Sequence, residues 1–124
     1  MIWPWRKPVP LGRQGEDLAA RHLRKLGYRI IERNAVLGRY EIDIIAREGD
    51  TVAFVEVKTR RPGGLAPPEA NITVKKRLHL VRAGKLYRAR NPDPAMYYRY
   101  DVVAIVLPER GTPEITLYRD AFRE

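Results

Sequence analysis

A two-residue turn signal between two apolar runs constrains this chain more than any other feature. Residues 40–46 read YEIDIIA and residues 52–58 read VAFVEVK, with Gly49-Asp50 between them. Gly-Asp flanked by strand-like runs signals a tight hairpin. With Gly49 and Asp50 as the loop, Glu48 faces Thr51 and the register runs backward from there. Asp43 then falls opposite Glu56, and Glu41 opposite Lys58. Side chains alternate along a strand, so all four should project from one face. The other face carries Ile42, Ile44, Ala46, Ala53, Val55 and Val57, which reads as buried. Ile45 and Phe54 make even the carboxylate face apolar near the turn. Its charged end is therefore expected to open as a polar pocket on an interior sheet.

Two carboxylates facing each other across a ladder repel and destabilise it. Placed among Ile, Val and Phe, they call for a positive charge between them. Lys58 is one candidate and a divalent metal the stronger one. The competing reading is an interstrand ion-pair network centred on Glu41 and Lys58, which leaves Asp43 and Glu56 without a cation. Four ionisable groups gathered at one end of a buried sheet favour a site.

The rest of the chain frames that hairpin. Its 124 residues suffice for one domain with a real core. Residues 1–11, rich in Pro and Trp, read as an irregular segment, and residues 12–124 as the single domain. Residues 12–26 keep helical spacing at Leu18, Ala19, His22, Leu23 and Leu26, with Gly27 as the stop. Residues 28–33 read as a strand, and residues 60–68 as a Pro/Gly-rich loop. A second helix is expected from Asn71 or Thr73 to Ala89. Strands follow over residues 99–107 and 115–118. The order α-β-β-β-α-β-β implies an α/β fold, a central mixed sheet flanked by helices.

Composition narrows the function classes. The chain has no cysteine, which excludes disulfides, zinc–thiolate sites and thiol catalysis. No apolar run approaches the roughly 20 residues of a membrane span, and the N-terminus lacks a signal-peptide core. A cytoplasmic location is expected, with no membrane partner. The net charge of +9 favours polyanions, nucleic acid first. The second helix carries Lys75, Lys76, Arg77, Arg82, Lys85, Arg88 and Arg90 with no acidic residue among them. With Arg60 and Arg61, the residues Lys75, Lys76 and Arg82 are the candidate phosphate contacts, which position nucleic acid without reading its sequence.

Carboxylates with water and backbone carbonyls suit a hard cation, Mg²⁺ or Mn²⁺. Zinc is disfavoured because His22 and His79 sit on the two expected helices. A hard metal beside a lysine, in a protein that attracts polyanions, suits phosphodiester chemistry. The metal would lower the pKa of a bound water and stabilise charge on phosphorus. Lys58 would orient that water or neutralise developing charge.

Asp43 followed by Glu56-Val57-Lys58 on the next strand resembles the signature of the PD-(D/E)XK nuclease superfamily, with Ile42 in place of its proline. A longer pattern runs through residues 12–19 (GRQGEDLA), Gly27-Tyr28, Asn34, residues 38–46 (GRYEIDIIA) and residues 54–60 (FVEVKTR). Lys75 and residues 99–105 (RYDVVAI) complete it. That pattern resembles the YraN-like family of uncharacterised bacterial proteins across roughly residues 12–118. The family is regarded as distantly similar to archaeal Holliday junction resolvases.

The resemblance implies a restriction-endonuclease-like core. It implies Asp43 and Glu56 as metal ligands, Lys58 as the catalytic lysine and Glu16 as a further glutamate supplied by the first helix. From its position alone, Glu16 would only complement the helix dipole. Glu41 belongs to the longer pattern and would position Lys58 or bind a metal's water. The implied activity is Mg²⁺- or Mn²⁺-dependent cleavage of DNA, with branched DNA as a candidate substrate and RNA still open. Resolvase-like cutting of two strands would favour a homodimer. The alternative is a nucleic-acid-binding accessory protein with weak or no cleavage.

Overall fold

The computed structural model describes residues 9–63 and 72–124. Seven elements follow one another: α1 (Leu11–Lys25), β1 (Arg29–Leu37), β2 (Tyr40–Glu48), β3 (Thr51–Arg60), α2 (Val74–Arg90), β4 (Tyr97–Val106) and β5 (Glu114–Phe122). The strands form one sheet in the order β1-β2-β3-β4-β5. Only β3 and β4 run parallel, because α2 carries the chain back between them; the other neighbours are antiparallel. This is the mixed α/β arrangement expected from the sequence, with the expected element order. Most of residues 1–11, the segment 64–68 and an Asn71 helix start lie outside the described residues.

The hairpin turn falls where the sequence places it. Glu48 pairs with Thr51 and Ile45 with Phe54. Gly49 takes φ +60°, which a two-residue hairpin turn requires and glycine supplies without strain. Gly27 ends α1 in the same conformation, φ +97°, and the Tyr28 N–H returns to the Leu23 carbonyl. Thr73 caps α2: its hydroxyl accepts the Lys76 N–H at 3.1 Å.

Each helix covers one face of the sheet. Ala19, Ala20 and Leu23 of α1 pack on Ile44, Ala46, Ala53, Val55, Val57, Val103 and Ile105. Leu80 and Ala83 of α2 pack on Ile42, Ile45, Val52, Phe54 and Tyr100. Both helices approach the sheet through a glycine. A Cβ on Gly15 would run into the Thr59 side chain, and one on Gly84 would meet the Tyr100 hydroxyl at 2.7 Å. Glycine in a helix costs about 1 kcal/mol against alanine, and here that cost secures close approach. Gly15 thereby sets the adjacent Glu16 down beside the sheet.

Two strands run four residues past their expected ends. β1 continues past Arg33 to Leu37, and β5 past Tyr118 to Phe122. Both are edge strands with irregular registers, at Ile30/Glu32 in β1 and opposite Tyr100/Val102 in β5. Such irregularities break the period-two pattern by which strands are read.

Candidate functional site

The β2–β3 ladder stops at Ile44↔Val55, one step before Asp43 and Glu56. The β1–β2 ladder likewise passes from Arg33↔Ile44 to Ala35↔Ile42 and leaves Asp43 out. Asn34, facing that gap, adopts φ +51°, a conformation that Asn tolerates better than most residues. The irregularity reverses the side-chain alternation. Ile44 packs on the α1 side, whereas Ile42, two residues earlier, packs on the α2 side. The expectation that Ile42 shares a face with Ile44 is therefore corrected.

The Asp43 side chain turns toward β3. Its Oδ2 accepts the Val57 N–H at 2.9 Å. Glu56 points to the α2 side, where its Oε1 lies 3.5 Å from the Lys76 ammonium. Its Oε2 is buried and has no hydrogen-bond donor. Burial and then the Asp43 charge push the Glu56 carboxyl up to about 7. Burial also raises Asp43, against the Val57 hydrogen bond and the Lys76 charge, which lower it. Two carboxyls in one buried space cannot both ionise cheaply.

The remaining candidates surround this pair unevenly. Glu16 stands on α1 within electrostatic range of Asp43, in a surface cavity with Arg13, Arg33 and Asn34. Burial and the Asp43 charge raise its pKa, while Asn34 and Arg33 act the other way. Lys58 is half-exposed and contributes positive charge to Glu56. The expected Glu41–Lys58 pairing does not form. Glu41 is exposed and pairs along β1 with Val36, and no Glu41–Lys58 ion pair occurs among the described residues. Its loss follows from the early end of the ladder. Glu41 instead lines a surface cavity of about 480 Å³ with Arg39, Tyr40, Lys75, Lys76 and His79. Among the described residues, no three His, Asp or Glu side chains converge to hold one ion, so Glu16 does not complete a three-carboxylate cage.

The basic helix is compensated from outside itself. Glu56 meets Lys76, and Glu124 meets Lys85 at 3.9 Å and Arg88 at 3.1 Å. Arg82 donates to the Tyr40 hydroxyl at 3.4 Å. Lys75, Arg77, Arg82 and Arg90 remain without an ion pair among the described residues. Arg60 and Arg61 stand at the end of β3. Arg61 donates to the Leu107 carbonyl and Arg60 to the Arg61 carbonyl, so both are partly engaged by backbone.

A second polar cluster lies elsewhere on the sheet. Asp101 is fully buried in β4. It accepts from Arg99 at 2.8 and 2.9 Å, from the Tyr28 hydroxyl at 3.3 Å and from the Asp120 N–H at 2.9 Å. Arg119 joins through Tyr28 and Glu48. This network closes the irregularity between β4 and β5, where Asp120 takes φ +52°. A charged residue inside the apolar run of residues 100–107 was the sequence signal for it.

The model of the uncharacterised protein family UPF0102 matches residues 15–105, which contain every carboxylate of the site. The chain belongs to the UPF0102 family. UPF0102 proteins from several bacteria match over most of their length. The chain is 39% identical over 122 residues to one from Chloroherpeton thalassium, covering 93% of this chain and 95% of that protein. It is 40% identical over 113 residues to one from Caldicellulosiruptor saccharolyticus, covering 90% and 96%. With the Chlorobaculum tepidum member it shares 44% identity over 99 residues, 80% of this chain and 77% of the relative. The YraN-like resemblance is thus established at the level of the UPF0102 family. No helix among the described residues is long and apolar enough to cross a membrane.

Proposed function

We propose that this UPF0102 protein is a metal-dependent phosphodiesterase acting on nucleic acid, with branched or junction DNA as the leading substrate. One observation carries the reading: the buried Asp43–Glu56 pair, with Glu56 Oε2 lacking any donor. A carboxylate oxygen buried without a partner beside a second carboxylate is costly unless the pair holds a proton or a cation joins them, and a divalent cation serves both carboxylates at neutral pH. The donor set is all oxygen, which fits Mg²⁺ or Mn²⁺ better than zinc. The likeness of Asp43 and Glu56-Val57-Lys58 to the PD-(D/E)XK nuclease signature, and the family's distant similarity to Holliday junction resolvases, support the same reading.

Asp43 and Glu56 would hold the ion, with water filling the positions that side chains do not. A hard dication in that place supplies an activated water and charge stabilisation at phosphorus. Val57 orients Asp43 through its N–H. Lys58 neutralises the charge that grows on the phosphate. Glu16 orients water from the α1 side. Lys75 and Arg82 hold neighbouring phosphates without reading bases. Cutting both strands of a junction would engage two copies of the chain.

The second reading is a nucleic-acid-binding accessory protein with little or no cleavage. The lack of three converging side-chain ligands among the described residues favours it. Incubating the pure protein with labelled linear, nicked, flapped and four-way DNA, and with RNA, in Mg²⁺ or Mn²⁺ separates the two. Metal-dependent products absent from a Glu56→Gln control support the enzyme. Binding without products in either ion overturns it in favour of the accessory role.

A further inference from the structure

Lys76 sits in the first turn of α2 and meets Glu56 across the crossover at 3.5 Å. The two partners have unequal freedom. The Glu56 side chain is 6% exposed and belongs to a central strand, while that of Lys76 is 45% exposed on a flexible stem. The Thr73 cap fixes the Lys76 backbone, so only the side chain can swing. Its setting also works against it. Lys75, Lys76 and Arg77 crowd a helix N-terminus that has no acidic residue in its first turn. The helix dipole disfavours cations there. Lys76 is therefore drawn in by Glu56 and repelled by its own helix.

We propose that Lys76 is an internal counter-cation of the Asp43–Glu56 pair, which a divalent ion displaces on binding and which then turns to a phosphate of the nucleic acid. The inference rests on the metal-site reading of that pair. An ammonium and a divalent ion compete for the same carboxylate oxygens, and sharing them would bring like charges together. Whatever draws Lys76 away from Glu56 strengthens metal binding, and metal in turn frees Lys76 by the same factor. Metal and polyanion thus bind cooperatively, with one side chain as the coupling element.

Calorimetric titration of Mn²⁺ into the full chain at pH 8.5 tests this, with wild type, Lys76→Met and Lys76→Arg compared. Lys76→Met, which keeps the stem and loses the charge, should bind Mn²⁺ at least about 5-fold more tightly than wild type. Lys76→Arg should stay near wild type. Thermal melts confirm that each variant is folded. Anisotropy titration of a fluorescent DNA duplex, in EDTA and in Ca²⁺, reads the coupling from the other side. Ca²⁺ should tighten duplex binding to wild type and do so by a smaller factor for Lys76→Met. If wild type binds Mn²⁺ and Lys76→Met binds it equally or more weakly, the counter-cation role is overturned while the metal site stands. If wild type binds no Mn²⁺ at millimolar concentration, the metal-site reading falls and this proposal with it.

Discussion

Asp43 Oδ2 accepts the backbone N–H of Val57 at 2.9 Å, so a side chain takes the place of a strand carbonyl where β2 and β3 stop pairing. That hydrogen bond fixes the carboxylate beside Glu56, and the Lys76 ammonium offsets the repulsion between them only in part. Asp43→Asn keeps an acceptor for Val57 and removes the charge. It should raise the stability of the metal-free protein by about 1–3 kcal/mol and abolish Mn²⁺ binding. Glu56→Gln should do the same. Urea melts and calorimetry check both halves, and a destabilised Asp43→Asn would show that the pair is structural.

The same pair makes stability depend on pH. Glu56 titrates at about 7 instead of 4.5, and Asp43 is raised as well. Between those values the folded state holds protons that the unfolded chain has released. The stabilisation is complete below the unfolded pKa and is lost as pH rises through the folded one. The metal-free protein should therefore be less stable at pH 8 than at pH 5, by roughly 2–3 kcal/mol from Glu56, with Asp43 acting in the same direction. Glu56→Gln should flatten that slope, and saturating Mn²⁺ should reverse it. Equal slopes in wild type and variant would assign the effect to other groups.

Lys58 separates chemistry from architecture. It is half-exposed and has no ion pair among the described residues. Lys58→Ala should cost under about 1 kcal/mol of stability. It should leave Mn²⁺ affinity within a few-fold and remove cleavage by 10²-fold or more, on the scale of about 10² to 10³ for a lost charge-stabilising group. Turnover per folded molecule, measured beside thermal melts, decides the point. Retained turnover would leave Lys58 a surface residue.

Lys75 and Arg82 carry the electrostatic prediction. Binding of duplex DNA should weaken as salt rises, with a log–log slope of about −0.9 per phosphate neutralised. Replacing both by Ala should weaken all duplex sequences alike and reduce the slope by about one unit for each lost contact. Anisotropy titrations across a salt series measure it. An unchanged slope would move the nucleic-acid surface away from α2.

Asp101 is a prediction about folding alone. Asp101→Ala would leave the Arg99 guanidinium and the Asp120 N–H without their buried acceptor. Losing one partner of a buried pair costs about 3–5 kcal/mol. Chemical denaturation should show that loss, with metal affinity per folded molecule unchanged. A loss below about 1 kcal/mol would mean that the β4–β5 irregularity holds itself together.

What the sequence made legible was local. The Gly49-Asp50 turn sets the register at Glu48↔Thr51 and carries it correctly to Ile45↔Phe54. Extrapolating two residues further fails at Asp43, because Asn34 and the Val57 N–H reshape the strand there from outside it. The α2 cations look uncompensated in sequence because Glu56 and Glu124 reach them from other elements. For that reason the sequence alone groups Lys76 with the phosphate contacts. Its contact with Glu56 forms only through the crossover, which no periodicity reports.

The parallel pairing of β3 with β4 has a consequence for the order of assembly. The β2–β3 hairpin closes through two residues, and such turns form in about 1–10 microseconds. The crossover that delivers Lys76 must wait for contacts far apart in sequence, which are slower to form. Asp43 and Glu56 are thus expected to meet before their protein cation arrives. Refolding should quicken at a pH low enough to protonate them, and stopped-flow kinetics of wild type against Asp43→Asn would register the difference. A rate equally independent of pH in both would place the crossover, and not the carboxylates, at the barrier.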